Sequence, residues 1–310
     1  MIYTVTLNPA LDRTIWIDEL QQEDVNRIHR EENYAGGKGI DVSRMIQILG
    51  GDSIALGFLG GYTGLEIEGI LLNEGIAHDF VRTSEETRTN IIIHETKNGK
   101  ELKFSASGPE IQPAELGLLI QKIDSLKPSP SFVVISGSIP VGLNAGIYTQ
   151  LTLAFEKLGA RVVLDADGDA LRKGIKATPY IIKPNVKELS RIIGSEPKSK
   201  DEFVGASRKL LSGELEIVVL SAGSSGLYVV QKDRAFRTIP PEVEAVNTVG
   251  AGDAVVAGLI WGLETGASLK DSAILGTACG TATVLSEGTA MGSRETIEKL
   301  LREIDIEEIP

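Results

Sequence analysis

The segment Thr248-Val-Gly250-Ala251-Gly252-Asp253 sets a carboxylate behind a glycine-rich turn and runs directly into an apolar stretch beginning at Ala254. Glycines at such a turn let an anion approach the backbone, and the free N–H groups and dipole of a helix N-terminus favour a phosphate there. An aspartate at this place has two readings. Alone it is a helix cap contributing about 1 kcal/mol; beside a bound phosphate it is a base that takes a proton from a hydroxyl.

Three further segments bear on that choice. Ala35-Gly36-Gly37-Lys38-Gly39-Ile40-Asp41 opens a second helix with a second glycine-rich turn. It is not a P-loop, because Gly39 follows Lys38 where Ser or Thr should stand, and it lacks the Gly-x-Gly-x-x-Gly spacing of dinucleotide sites. Thr6-Leu-Asn8-Pro9-Ala-Leu-Asp12 places a carboxylate after the first strand, where it would grip a hydroxyl-bearing ligand or simply form a turn. In Lys183-Pro-Asn185-Val-Lys-Glu188 an Asn and a Glu three apart share one face of a helix start, which by itself reads as a cap with a surface Glu.

The elements that must carry these residues follow a βα rhythm. Short β-branched runs at residues 2–7, 132–135, 161–164, 180–182 and 217–220 alternate with stretches of helical apolar spacing at 39–49, 65–73, 113–126, 144–158 and 203–211. That rhythm predicts a mostly parallel, doubly wound α/β sheet. Residues 251–263 and 269–285 are rich in apolar and small residues and predict two neighbouring core helices. Two regions break the rhythm, about 13–34 and 88–106; the second reads as a hairpin around the Asn98-Gly99 turn. Together they predict a small β-sheet lid over the edge where open α/β sheets bind ligands.

Composition narrows the function. A formal net charge of -12 argues against general affinity for nucleic acid or anionic membrane. One cysteine, Cys279, permits no intramolecular disulfide, and with three scattered histidines it builds no zinc site. No apolar run reaches the roughly 20 residues of a membrane span, and the N-terminal residues lack a signal-peptide pattern, so a soluble cytoplasmic protein is expected. A dehydrogenase would need glycines after the first strand, where Leu7-Asn-Pro-Ala-Leu-Asp12 has none.

In order along the whole chain, TLNPALD, GGKGIDVSR, ISGSIP at residues 135–140, KPNVKEL, LSAGSSG and NTVGAGDAVVAGLIWGL resemble the PfkB branch of the ribokinase family, in particular its phosphofructokinase and tagatose-6-phosphate kinase group. The resemblance implies a single ribokinase-like domain over 1–310, a three-layer α/β/α fold with the lid. It implies ATP and Mg²⁺ as cofactors, with a monovalent cation as a further one. Asp253 would be the base, with the N–H groups of Gly250, Ala251 and Gly252 holding the transferred phosphoryl group. Asp12, Gly36, Gly37, Lys38, Asp41 and Ser138 would surround the sugar. Lys183, Ser221, Gly223, Gly226 and Gly252 would meet the nucleotide, and Asn185 and Glu188 would organise Mg²⁺, chiefly through water.

Arg88 and Lys103 stand on the proposed lid, where cations suit a substrate that already carries a phosphate. A basic residue at 103 resembles the minor 6-phosphofructokinase type and leans toward fructose 6-phosphate. Lys38 resembles instead the loop of 1-phosphofructokinases and tagatose-phosphate kinases, and Asp41 departs from the family's usual Asn. Tagatose-6-phosphate kinase is the alternative activity, and a non-catalytic sugar-phosphate sensor the alternative of another class. The unpaired edges of the lid strands predict a homodimer.

Overall fold

The computed structural model describes residues 1–288 and 290–309. In chain order the elements are β1 (Ile2–Thr6), β2 (Ala10–Ile17), β3 (Arg30–Gly36), α1 (Lys38–Ile48), β4 (Ser53–Gly60), α2 (Gly61–Asn73), β5 (Ala77–His78), β6 (Val81–Thr83), β7 (Arg88–Glu95), β8 (Glu101–Phe104) and α3 (Pro113–Asp124). They continue as β9 (Phe132–Ser136), α4 (Ile147–Glu156), β10 (Arg161–Asp165), α5 (Gly168–Gly174), β11 (Ile181–Ile182), α6 (Val186–Ile193), α7 (Lys200–Arg208), β12 (Ile217–Ser221), β13 (Leu227–Val230), β14 (Ala235–Ile239), α8 (Ala251–Glu264), α9 (Leu269–Val284), α10 (Arg294–Leu300) and β15 (Asp305–Ile309).

Alternation along the central strands sorts the core into two layers of side chains. Tyr3 and Val5 of β1, Val133 and Ile135 of β9, and Val218 and Leu220 of β12 pack with α3, α4, α6 and α7 through Leu119, Leu151, Phe155, Leu189 and Val204. Their neighbours Ile2, Phe132, Val134, Ile217 and Val219 point to the other side, where Val42, Met45, Ala257, Ala278 and Ile297 belong to α1, α8, α9 and α10. Strands apolar on both faces are what a sheet covered on both sides requires. The three-layer expectation is met.

The sheet runs β15-β14-β13-β12-β11-β10-β9-β1-β4-β5, with β6 paired to the end of β4. Pairing is parallel from β5 to β12 and antiparallel from β12 through β15. Two parts of this were not anticipated. Strand β4, Ser-Ile-Ala-Leu-Gly-Phe-Leu-Gly, lacks alternation because both its faces are buried, and β12, β13 and β14 follow one another in the antiparallel flank with no α-helix between them.

The irregular N-terminal regions form a separate four-stranded sheet in the order β3-β2-β7-β8. The predicted hairpin is β7-β8, with His94 opposite Glu101. This sheet begins at Ala10, so Asp12 belongs to the lid and not to the turn before it. Leu11 and Ala35 at its root pack with Ile67 and Leu71 of α2.

Helices α8 and α9 approach closely because their facing positions are glycines. A Cβ on Gly258 would lie 2.8 Å from Gly276 Cα and 2.9 Å from Cys279 Sγ. Gly258→Val should therefore destabilise the protein by about 2 kcal/mol through overpacking, read as a lowered urea midpoint with an unchanged m-value.

Candidate active site

The first turn of α8 is built by Gly250, the N-cap, at φ 75. Only the left-handed region gives the chain this turn, and no side chain caps the exposed amides of the helix. Asp253 lies in the first turn with its backbone already helical. Its Oδ1 is buried and has no hydrogen-bond partner, so the capping alternative fails on geometry. Burial drives the Asp253 carboxyl well above the ordinary range, against the pull of Lys38 and Lys183.

Those cations are held by a carboxylate at the end of β10. Asp165 is 1% exposed and its Oδ1 lies 3.2 Å from Lys38 Nζ and 3.3 Å from Lys183 Nζ. Burial opposes its charge, but the two lysines prevail and hold the carboxyl below its usual value. In the same way burial works against Lys38, and Asp165, Asp253 and Glu188 keep it firmly protonated. The signal in the sequence was only a carboxylate after a strand, which a turn would equally explain.

Two cavities meet at the α8 turn. The first, about 630 Å³, is lined by Thr6, Asn8, Asp12, Gly37, Lys38, Asp41, Arg88, Asn90, Ser138, Asp167, Gly250 and Asp253. Asp12 Oδ1 accepts a 2.7 Å hydrogen bond from Asn90 Nδ2, and a Cβ on Gly36 would fall 2.2 Å from Asp12 Oδ2. Gly36 thus makes room for that carboxylate. Asn8 donates to Ser138 Oγ at 3.2 Å while its own buried Oδ1 has no partner. Asn8 and Asn90 were not among the expected residues, since an isolated Asn carries no distinctive pattern.

The second cavity, about 590 Å³, has mostly apolar walls from Leu227, Val243, Val255 and Val284, with Ser221, Gly223, Gly226, Ala251 and Gly252 at one end. Gly226, at φ 94, would place a Cβ 2.0 Å from Thr238 O, so no larger residue fits this edge. Lys183 stands behind the junction, with Nζ 3.4 Å from where a Gly252 Cβ would be. An Asn185 and Glu188 capping box starts α6: Glu188 Oε2 accepts from Asn185 N at 2.8 Å and Asn185 Oδ1 from Glu188 N at 2.9 Å.

A sequence model described as pfkB family carbohydrate kinase matches residues 5–296. The chain belongs to this family. Relatives within and around it include the 1-phosphofructokinase of Borreliella burgdorferi, 36% identical over 100% of this chain and 99% of its own, and the ATP-dependent 6-phosphofructokinase isozyme 2 of Escherichia coli, 32% identical over 96% and 97%. The crystal structure of phosphofructokinase-2 from Escherichia coli in complex with potassium superposes with a TM-score of 0.92 at 32% identity, covering 97% of this chain and 98% of that one.

Most residues that the pfkB resemblance singled out converge on the two cavities, and two have surroundings that the sequence did not suggest. Arg88 lines the first cavity, yet its guanidinium donates to three backbone carbonyls, of Asn8 at 2.9 Å, Pro9 at 3.4 Å and Ala106 at 2.8 Å. It staples the roots of the lid. Lys103, opposite Ile92 on β8, shares the sheet face of Arg88 and Asn90 but lies farther along the strand than the residues that line the cavity, half-exposed and paired with Glu101 at 2.6 Å. Among the described residues, no three His, Cys, Asp or Glu side chains gather as a ready-made metal cluster, and no helix is long and apolar enough to cross a membrane.

Asp165 is the counter-charge of two lysines, so Asp165→Asn should cost about 3 kcal/mol at neutral pH, as expected for an uncompensated buried ion. The pH dependence has a definite sign. A carboxyl held low in the folded state stabilises above its unfolded value, about 3.9, and that contribution disappears as the pH falls through the lower folded value. Urea titrations from pH 7 to pH 3 should show a steep loss below pH 4 in the wild type and a shallower one in the variant.

Proposed function

We propose that this chain transfers the terminal phosphoryl group of ATP to a hydroxyl of a fructose phosphate, giving fructose 1,6-bisphosphate, with Asp253 as the base. The observation that carries this reading is the α8 first turn standing as the common wall of both cavities: Gly250 and Asp253 face the first, Ala251 and Gly252 the second. A hydroxyl in the first cavity and a phosphoryl group from the second would meet at uncapped amides. The hydroxyl oxygen attacks phosphorus, its proton passes to Asp253, and ADP leaves with the oxygen that bridged the phosphates. Lys38 and Lys183 bring positive charge to the developing anion, and positioning with charge neutralisation is what this reaction needs.

Asp12, Asp41, Gly37 and Ser138 would hold the sugar, while Ser221, Gly223 and Gly226 would meet the nucleotide. The buried Glu188, with Asn185, fits Mg²⁺ held largely through water, a common way for that ion to bind beside phosphates. When bound, Mg²⁺ would neutralise phosphate charge. The potassium in the Escherichia coli structure supports a monovalent cation as a further requirement. Use of ATP and sugar phosphates supports a cytoplasmic setting.

Between the two fructose phosphates we favour fructose 1-phosphate. The reason for the 6-phosphate was Lys103, which lies outside the cavity, whereas Lys38 lies within it. The full-length match to a protein named 1-phosphofructokinase points the same way. A fructofuranose carries similar hydroxymethyl arms at its two ends, so the isomers differ in which arm meets Asp253 and share one product.

In an ADP-release assay with ATP and Mg²⁺, fructose 1-phosphate should outpace fructose 6-phosphate and tagatose 6-phosphate. Asp253→Asn should lower turnover by about 100-fold to 10⁴-fold, the range for a lost general base, with an unchanged melting temperature. No turnover on any of these sugars would establish the sensor reading instead, and near-normal turnover in Asp253→Asn would exclude it as base.

The lid also supports a homodimer. Its edge strands β3 and β8 have one unpaired side each, and Ile91, Phe104, Val25 and Ile28 expose large apolar side chains on or beside it. Light scattering should give twice the 33.1 kDa chain mass, and Phe104→Glu should shift the mass toward the monomer; a monomeric wild type would remove the proposal.

A further inference from the structure

The sugar-side cavity contains a carboxylate whose setting the reaction does not explain. Asp41, on the first turn of α1, lines the cavity, and its Oδ1 lies 2.6 Å from Arg44 Nη1. Arg44 is itself largely buried, with a side-chain exposure of 13%. The rest of its guanidinium reaches two other elements. Nη2 donates to Ala35 O at 3.0 Å and to Glu74 Oε2 at 2.9 Å, and Nε donates to the same Glu74 oxygen at 3.1 Å. Ala35 is the next-to-last residue of lid strand β3, and Glu74 is the C-cap of α2. One planar cation therefore joins the cavity wall, the end of a lid strand and the end of a core helix, a geometry that an arginine fork provides and a lysine does not.

The location of this junction gives it meaning. Backbone leaves the lid sheet at Gly36 and enters α1 at Lys38, so Ala35 is the last part of the lid before the sugar-binding turn. Arg88 anchors the other lid roots through Asn8, Pro9 and Ala106. Arg44 anchors the remaining one, and unlike Arg88 it does so while holding a carboxylate that faces the substrate.

We propose that Arg44 is a positioning residue of the sugar site, which through Asp41 sets the charge and aim of a specificity-determining carboxylate and couples it to the lid strand at Ala35. The proposal rests on the reading of Asp41 as a sugar ligand. Charged groups face Asp41 from each element around it: Arg44 on its own helix, Asp12 on β2, Glu74 at the end of α2, and Asp253 on α8. Burial is the strongest influence and raises the Asp41 carboxyl, Arg44 opposes it, and Asp12 and Glu74 add to the rise, leaving it pushed up to about 7. A carboxyl near neutrality changes from donor and acceptor to acceptor only within the working pH range. An Asn at this position would have no such transition.

The test is the pH dependence of kcat/KM for fructose 1-phosphate at saturating ATP and Mg²⁺, from pH 5.5 to 9, in the full chain. Arg44→Gln removes the cation that favours ionised Asp41 and should move a midpoint near neutrality upward by about one pH unit. Glu74→Gln removes an anion and should move it downward. Asp41→Asn should abolish it. Arg44→Lys should return the midpoint toward wild type yet leave the sugar KM raised about tenfold, since its single ammonium cannot make the forked contacts; the KM for ATP should stay within about twofold.

Opposite shifts in Arg44→Gln and Glu74→Gln are the signature that a purely structural role would not produce. Shifts of the same sign, no shift, or equal rises in both Michaelis constants would overturn the proposal. If Arg44→Gln does not fold, Glu74→Gln and Arg44→Lys decide it alone. A wild type inactive on every sugar phosphate would instead sink the underlying reading of the site.

Discussion

One carboxylate oxygen of Asp165 is shared by Lys38, which lines the first cavity, and Lys183, which stands behind Gly252 of the second. This is the constraint on which the rest of the site depends. An anion at 1% exposure is tolerable only with such partners, and two ammonium groups so close together are tolerable only around an anion. The cluster fixes the glycine-rich turn before α1 against the strand ends at β10 and β11. Cations from the sides of two different cavities are thereby brought to the α8 N-terminus. Asp253 inherits its environment from the same cluster, because Asp165 and Asp41 disfavour its charge while Lys38 and Lys183 support it.

The lid is attached by arginines. Arg88 was expected to meet a phosphate, yet its donors engage carbonyls at three points of the lid roots. Such bonds satisfy backbone groups that the irregular roots would otherwise leave unpaired in a partly buried place. They also make the lid's position depend on side chains that line the cavity, so a ligand drawing on Arg88 would alter how the lid is held. Leu11 and Ala35, packed on α2, give the same roots an apolar footing.

Lys103 shows what residue type alone leaves open. A cation on a predicted lid strand suits a phosphate, but a strand sends successive side chains to opposite faces. Whether residue 103 meets the cavity depends on register and on which face of the sheet looks inward, and neither is encoded near residue 103. The register Ile92 opposite Lys103 puts it on the face of Arg88 and Asn90, but farther along the lid than the residues that line the cavity, where it pairs with Glu101. The Asn185 and Glu188 pair forms a capping box, and that box holds a buried carboxylate, the one that the proposed function uses for Mg²⁺.

Local chemistry in the sequence was enough to establish the βα rhythm, the hairpin around Gly99, the two packed helices after Gly250, and the glycine turns with Asp12, Lys38, Asp41 and Asp253, because each depends on period, turn chemistry or backbone freedom within a few residues. Strand β4 and the antiparallel strands β13 and β14 were not legible, since burial on both faces erases alternation and antiparallel neighbours need no helix to announce them. Only tertiary structure decided that Asp165 pairs with lysines 127 and 18 positions away, that Arg88 faces carbonyls, and that Arg44 joins Asp41 to Ala35 and Glu74. These are contacts across elements, and their energies depend on burial and distance, which no segment carries by itself.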